Sequence, residues 1–303
     1  MNRPLFWIFF NLFALIVLAV DLWILNRPAR PMSFRQALAW SLTWITLAAG
    51  FAVLLSFWYG RETSIEFTAA YLVEFSLSVD NLFIFLLLFR YFRVPAEFQH
   101  KVLSWGIVGA LLMRGTFIFL GIELIRIFHW ILYVFGVLVI ASGVQLFCQR
   151  KPGMDLEKNP ALRWFRRWIP VTEDYEGERF FIRRERLYAT PLLLVLFVVE
   201  TTDLLLATDS IPAVFAITLN PTIVYTSNVF ALLGLRSLFF VLSGMMEIFE
   251  YLHYGLALVL IFIGAKMLAT DYHPIPTGLT LAIVAGVLLV SVVASIIHPG
   301  HEI

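Results

Sequence analysis

Long apolar runs dominate the chain and alternate with short polar segments. Nine of these runs are close to the length, about 20 residues, that a helix needs to cross the hydrocarbon core of a bilayer. The predicted helices cover residues 4–25, 36–58, 66–89, 102–122, 128–148, 191–217, 222–243, 249–269 and 276–298. The pattern therefore predicts an all-α polytopic membrane protein with about nine transmembrane helices.

Composition supports a protein whose main surroundings are the lipid bilayer. Hydrophobic residues make up 60% of the 303 residues and charged residues 14%, whereas soluble domains carry about 25% charged residues. Cys148 is the one cysteine, which excludes an internal disulfide, and no Cys/His cluster suggests zinc. The net charge is +1 and the basic residues are segregated by loop, so we expect no nucleic-acid partner.

Arginine and lysine lie mainly in every second loop. If the segment 149–190 is cytoplasmic, that side of the membrane receives sixteen of the 22 basic residues. The charge bias then predicts an external N-terminus and a cytoplasmic C-terminus. The first apolar run is longer than a signal peptide's and ends at Arg27-Pro28 without an obvious cleavage site, so we interpret it as a retained anchor.

Two of the predicted helices carry a repeated pair of acidic residues. Glu74 and Asp80 lie in EFSLSVDN, Asp203 and Asp209 lie in DLLLATDS, and a small amide or hydroxyl residue follows each second acid. An ionised carboxylate at bilayer depth costs roughly 2.5–3.5 kcal/mol, so these acids need an offsetting partner. The repeated spacing suggests one duplicated cation site.

Further landmarks indicate that three helices repeat. Arg114 and Arg236 each lie in the helix after an acidic pair, and similar Phe and Gly positions follow both. Units with an odd number of spans cross the membrane in opposite directions, as in the inverted repeats of many transporters. The predicted units are two N-terminal helices (1–60), a first repeat (66–148), a cytoplasmic loop (149–190), a second repeat (191–269) and a last helix with a short tail (276–303).

The candidate metal ligands are all oxygen donors, a set that favours Mg²⁺, Ca²⁺ or Mn²⁺ over Cu⁺ or Zn²⁺. Five carboxylates exceed the charge of Arg114 and Arg236 within the predicted helices, which leaves room for a divalent cation and a proton. The alternative is a purely structural role, in which the acids form salt bridges with these arginines. The candidate ligands are Glu74, Asp80, Asn81, Glu200, Asp203 and Asp209, with Ser210, Thr208, Arg114 and Arg236 in supporting roles.

Helix geometry places a condition on this site. Residues six apart on an ideal helix point about 120° apart, so Glu74 and Asp80 cannot both face one ion from a straight helix. Some unwinding is expected, and Pro212 supplies a cause in the second copy because it frees the carbonyl of Thr208.

Lys266 has two open interpretations, as a partner for a spare carboxylate or as a residue that reaches the membrane interface.

The cytoplasmic loop contains ALRWFRRWI, residues 161–169, in which apolar and arginine residues fall on opposite faces of a helix. This pattern predicts an amphipathic helix in the membrane interface.

The motifs VEFSLSVDNLFIF, WGIVGALLMRG, VVETTDLLLATDSIPAVFAIT and YGLALVLIFIGAKML, in this order, resemble the TerC family of bacterial integral membrane proteins over nearly the whole chain. The resemblance implies a bacterial inner-membrane protein that exports Mn²⁺ from the cytoplasm or delivers it to proteins outside. It also implies that the acidic residues of the two motifs form the metal site. The segment DLLLATD departs from the aromatic residue and valine that family members commonly carry between the two aspartates.

The sequence bears on two other classes of function. Intramembrane aspartyl proteases also pair two aspartates, but this chain lacks a GxGD context, HExxH and GxSxG, so we expect no enzyme. A membrane scaffold that binds metal and organises partner proteins stays open, with the partners unknown. The coupling ion and the oligomeric state are also open.

Overall fold

The computed structural model describes residues 4–25, 33–148, 165, 167, 169–172, 174–183, 187–243, 252–272 and 275–297. Within these residues it contains nine long helices and two short strands, which confirms the predicted all-α polytopic fold. The helices are α1 Pro4–Leu25, α2 Phe34–Tyr59, α3 Arg61–Tyr91, α4 Ala96–Ile127, α5 Ile131–Cys148, α6 Pro191–Phe215, α7 Pro221–Ser243, α8 Leu252–Ala269 and α9 Thr277–Ile297. Among the described helices, seven are long and apolar enough to span a membrane, while α1 and α8 contribute shorter apolar stretches.

Local sequence explains where the helices begin and end. Ser33 caps α2 through a capping box with Gln36, which satisfies two backbone N–H groups at the start of the helix. Gly60 separates α2 from α3 at a φ of 94°, a conformation that glycine adopts without a steric penalty. Helix α4 begins after Pro95, which cannot donate a backbone hydrogen bond. Helices α3 and α4 extend several residues beyond their predicted apolar cores.

The contacts along α3, α4 and α6 define the directions of these helices. Thr218, just after α6, donates a hydrogen bond to Glu66 near the start of α3 (2.8 Å). Further along α3, Glu74 lies level with Asp203, which precedes Thr218 by fifteen residues. Helices α3 and α6 are therefore antiparallel. Glycines of α4 lie against Glu200 and Phe215 in that order along the chain, so α4 runs parallel to α6.

Helices α3 and α7 are the most enclosed of the spans and form the centre of the molecule. The α2, α3 and α7 helices share an aromatic core in which the Phe51 ring lies 5.1 Å from Phe67 and 5.0 Å from Phe230 between centroids. At the other end of α3, the Phe89 ring contacts Phe239 at 5.4 Å. These contacts hold α3 and α7 side by side and parallel, so the first acidic helix lies in the interior.

Helices α5 and α8 cross closely through small residues. Modelling a Cβ at Gly264 would place it 2.7 Å from the Gly136 carbonyl, and a Cβ at Gly143 would lie 2.9 Å from the Ala257 carbonyl. The predicted repeat aligns Gly143 with Gly264 and Gly136 with Ala257, so each contact maps onto the other when the two copies are exchanged. This is the symmetry that an inverted pair requires, although the inverted repeat itself stays a prediction.

The predicted unwinding of the acidic helices is wrong. Both α3 and α6 are continuous, and Pro212 lies within α6. The helix ends three residues after Pro212, so the proline removes one backbone hydrogen bond near the terminus and has no following turns to displace. Thr208 is exposed, and its hydroxyl donates to the Leu205 carbonyl (2.6 Å).

The described part of the segment 149–190 packs on the helical bundle. The strands β1 (Phe181–Arg183) and β2 (Leu187–Ala189), which the sequence analysis missed, form an antiparallel hairpin. Burial raises the pKa of Tyr175 to about 12, so its phenol stays protonated and donates to the Phe92 carbonyl (2.9 Å). Most of the predicted amphipathic helix, residues 161–169, lies outside the described residues. Phe165 itself is buried against the Phe197 ring of α6, and the interfacial helix stays a prediction.

We expect Gly264→Ala to destabilise the protein by about 1–3 kcal/mol, because the new methyl group would overlap backbone atoms of α5. Gly50→Ala on α2 is the matched control, since a Cβ there meets nothing within 4 Å and alanine favours the helix. The measurement is the thermal unfolding midpoint of each variant in detergent. Equal midpoints for the two variants would contradict the close crossing of α5 and α8.

Candidate ion site between the acidic helices

A buried arginine joins the two acidic helices. The Arg114 guanidinium, from α4, donates from Nη1 to Glu74 Oε2 (2.9 Å), and from Nε and Nη2 to the two carboxylate oxygens of Asp203 (3.2 and 3.0 Å). The exposed fractions of Arg114, Glu74 and Asp203 are 0%, 1% and 4%. We call these three residues the Arg114 triad. It joins one carboxylate from each predicted repeat at a single guanidinium.

The triad bears on the interpretation of the acidic pairs. Glu74 and Asp203 are the first acids of the two motifs, and both already have a cationic partner in the protein. For these two residues, the geometry therefore shows the salt bridge that the alternative interpretation describes. The triad still has a formal charge of −1 when its groups are ionised. The Asn228 side chain of α7 lies beside Glu74 and adds a polar neighbour.

A small cavity lies next to the triad, where α3, α4, α6 and α7 meet. Its volume is about 20 Å³, which is room for roughly one water molecule. The wall is mainly apolar, and its charged residues are Glu200, Asp203 and Arg236. Glu200 Oε2 is buried and has no hydrogen-bond partner within the described residues. Its carboxylate fills the space that a side chain at Gly109 would occupy, so glycine at that position is what admits the acid.

The second acid of each pair lies away from the triad. The Ser142 hydroxyl of α5 donates to Asp209 Oδ1 (2.6 Å), and Asp80 is partly buried. Among the described residues, no group of three or more Asp, Glu, His or Cys side chains could hold a metal ion. The structure therefore brings Glu74, Asp203 and Glu200 to one region and leaves Asp80 and Asp209 outside it. One site formed by all six predicted ligands stays a prediction.

The supporting polar residues differ in their surroundings. Asn81 and Ser210 are buried, and the Ser210 hydroxyl has no hydrogen-bond partner in the part of the chain that the structure describes. The Ser78 hydroxyl on α3 is also buried without a hydrogen-bond partner among the described residues. Thr208 is exposed, which places its side chain away from the centre of the bundle. Unpartnered hydroxyl oxygens thus lie on both acidic helices.

Sequence reasoning missed a second charged region. Glu66 of α3 accepts a hydrogen bond from Thr218 (2.8 Å), and Lys266 of α8 is buried and close enough to interact electrostatically with Glu66. Lys266 thus has a carboxylate neighbour, as one of its two interpretations proposed. The available signal was that Glu66 precedes Glu74 by eight residues, about two helical turns, on the same apolar helix.

The fold and these buried ionisable groups define a multi-pass integral membrane protein with a charged centre. The model of the integral membrane protein TerC family matches residues 59–300. The chain therefore belongs to the TerC family, as the sequence motifs suggested.

Relatives match the chain over nearly its full length. An uncharacterized membrane protein of Myxococcus xanthus is 45% identical, over 99% of this chain and 94% of its own. A Salmonella typhi protein, whose name describes it as a membrane-bound redox modulator, Alx, is 44% identical over 96% of this chain and 94% of its own. A Rickettsia bellii membrane protein is 39% identical over 96% of this chain and 97% of its own. No solved structure matches.

We expect Arg114→Met to destabilise the protein by about 3–5 kcal/mol, because it leaves two buried carboxylates without their cation. Combining it with Glu74→Gln and Asp203→Asn removes the uncompensated charge, so stability should largely recover. The measurement is the thermal unfolding midpoint in detergent.

The matched control is Arg126→Met at the end of α4, whose ion pair with Glu123 is exposed and contributes about 0–1 kcal/mol. Equal losses at Arg114 and Arg126 would contradict the structural importance of the triad.

Proposed function

We propose that this TerC protein is a divalent cation transporter that exports Mn²⁺ from the bacterial cytoplasm. The observation that carries the proposal is the Glu200 carboxylate, whose buried Oε2 has no hydrogen-bond partner among the described residues and lies in a small cavity beside Asp203. A carboxylate in an apolar, membrane-embedded cavity is costly unless a cation or a proton accompanies it. A transported cation would offset that cost while it is bound.

The chemistry of the ligands supports a hard divalent ion as the substrate. Glu200 and Asp203 offer carboxylate oxygens, and buried hydroxyls on α3 and α6 could complete an oxygen shell. Such ligands suit Mn²⁺, Mg²⁺ and Ca²⁺ better than soft metals. Since Asp203 binds Arg114 in this conformation, a complete shell requires rearrangement around the triad. Mn²⁺ in particular is inferred from the family resemblance.

Charge balance motivates a coupled proton. The five acids of the proposed path carry a formal charge of −5, the two buried arginines supply +2 and one Mn²⁺ supplies +2. One excess negative charge remains, which a proton on one carboxylate would neutralise. We therefore propose that protons move in exchange for Mn²⁺. The charge bias of the loops further supports an external N-terminus and a cytoplasmic C-terminus in the inner membrane.

Thiol chemistry has little support in this chain. The relative from Salmonella typhi carries a name that refers to redox modulation. Here the single cysteine, Cys148, is exposed at the end of α5 and has no second cysteine with which to form an internal disulfide. Cation export therefore accounts for more of the buried chemistry than a dithiol function does.

We expect Glu200→Gln to lower Mn²⁺ flux into proteoliposomes by at least about tenfold, equivalent to about 1.4 kcal/mol, because it removes the negative charge from the cavity. Asp80→Asn and Asp209→Asn should also abolish transport if the second acids lie on the path. The assay follows radioactive Mn²⁺ under a pH gradient imposed in either direction.

The matched control is Glu123→Gln, an exposed carboxylate in the ion pair at the end of α4, which should transport normally. Unchanged Mn²⁺ flux in Glu200→Gln would contradict the proposed site. Mn²⁺ binding without flux in the folded, unaltered protein would instead favour a metal-binding scaffold that organises partner proteins.

A further inference from the structure

We propose that the Arg114 guanidinium is a tethered cation that closes the ion path at its centre, so that a transported cation passes only when Glu74 and Asp203 are released from Arg114. This inference rests on the proposed transport function. It assigns Arg114 a role as a positioning residue that controls access, beyond its contribution to stability.

Acidic groups lie on opposite sides of the triad along the axes of α3 and α6. On α6, Glu200 precedes Asp203 by three residues, or about 4.5 Å of helix rise, and Asp209 follows it by six residues, or about 9 Å. On the antiparallel α3, Asp80 follows Glu74 by six residues and therefore lies on the Glu200 side. The triad thus separates Asp80 and Glu200 from Asp209.

Oxygen atoms without protein partners occur on both sides of this division. Ser78 Oγ lies one turn beyond Glu74, toward Asp80, and Glu200 Oε2 lies in the cavity on the same side. Ser210 Oγ lies next to Asp209 on the other side. All three atoms are buried, and none has a hydrogen-bond partner among the described residues. Each half of the path therefore offers its own unpartnered oxygen ligands.

The triad itself has the properties of a barrier. Arg114 makes three hydrogen bonds, bidentate to Asp203 and single to Glu74, and no part of its side chain reaches the surface. Its fixed positive charge repels a second cation while it occupies the two carboxylates. A divalent ion that binds both carboxylates must displace the guanidinium, so one cation substitutes for the other. The two carboxylates come from different predicted repeats, and their release also frees those repeats from each other.

If the contacts within the Arg114 triad are weakened, a larger fraction of the protein should be in the transport-competent state. Lysine keeps the charge of Arg114 but cannot form the bidentate pair with Asp203. If release of Glu74 and Asp203 from Arg114 limits Mn²⁺ binding, Arg114→Lys lowers the apparent KM for Mn²⁺ by about tenfold. The reason is that a larger fraction of the protein can then bind the ion. A purely structural role for Arg114 predicts an unchanged KM and a lower amount of folded protein. Arg126→Lys, at the exposed end of α4, is the matched control and should leave KM unchanged.

Cysteine accessibility tests the barrier without requiring transport. Cys148→Ala gives a cysteine-free background, into which Ser78→Cys and Ser210→Cys are introduced separately. Each protein, reconstituted in one orientation, is treated from either side with a membrane-impermeant cationic methanethiosulfonate. With Arg114 present, we expect Ser78→Cys and Ser210→Cys to react from opposite sides of the membrane. With Arg114→Lys, or with the combined Arg114→Met, Glu74→Gln and Asp203→Asn variant, we expect reaction from both sides.

The outcomes separate this inference from the proposed function. Reaction of either cysteine from both sides while Arg114 is present overturns the barrier, as does one-sided reaction that persists in both triad variants. No reaction at either position in any background also overturns it, since the path requires water on each side of the triad. If the triad variants allow reaction from both sides but the protein moves no Mn²⁺, the barrier is supported and Mn²⁺ transport is rejected. An unchanged KM in an active Arg114→Lys protein rejects the access role alone.

Discussion

The cost of burying charge in a low-dielectric interior is the constraint on which this structure depends. Carboxylates inside the bundle require partners, and the protein supplies them to some while leaving Glu200 Oε2 without a hydrogen-bond partner among the described residues. Arg114 binds Glu74 and Asp203, Ser142 binds Asp209, and Thr218 binds Glu66 with Lys266 nearby. Replacing such groups with apolar residues of similar size is often neutral or stabilising, so buried ion pairs are weak evidence for stability. Stability is therefore a weak explanation for their presence in α3 and α6, and the proposed transport supplies another.

The fold places these partners within reach of one another. Helix α3 lies at the centre, parallel to α7 and antiparallel to α6, and α4 carries Arg114 to the junction of α3 and α6. Close approach depends on small residues, since Gly109 admits the Glu200 carboxylate and Gly136 and Gly264 allow α5 and α8 to cross. A larger side chain at these points would separate the helices and weaken the contacts that satisfy the buried acids.

The distribution of polar groups connects the fold to the proposed transport function. Carboxylates and hydroxyls lie along α3 and α6 on both sides of the Arg114 guanidinium, which contacts one carboxylate from each predicted repeat. The proposed mechanism treats this guanidinium as a resident cation that a divalent ion replaces. An inverted arrangement of the repeats would place equivalent groups on the two sides of the interruption, as alternating access requires. The symmetric contacts of α5 and α8 are consistent with that arrangement.

The apolar runs by themselves determined the nine helices, because about 20 apolar residues in succession leave few alternatives to a membrane-spanning helix. Repeated spacing likewise identified Glu74, Asp80, Asp203 and Asp209 as unusual. The hairpin of β1 and β2 gave no comparable signal, since its strands are three residues long. The prediction of unwinding at Pro212 assumed that both acids of a pair face one ion. It was wrong because the spacing of two acids does not show that they contact different side chains.

Only the tertiary structure decided which charges meet. Arg114 lies 40 residues from Glu74 and 89 residues from Asp203, and no local pattern specifies that one guanidinium binds both. Glu66, Ser142 and Lys266 likewise meet their partners only when α3, α5, α6 and α8 pack together. Helix formation depends on local apolar periodicity and backbone hydrogen bonds, which the sequence displays directly. Pairing of buried charges depends on the relative depth and rotation of separate helices, which only their packing fixes.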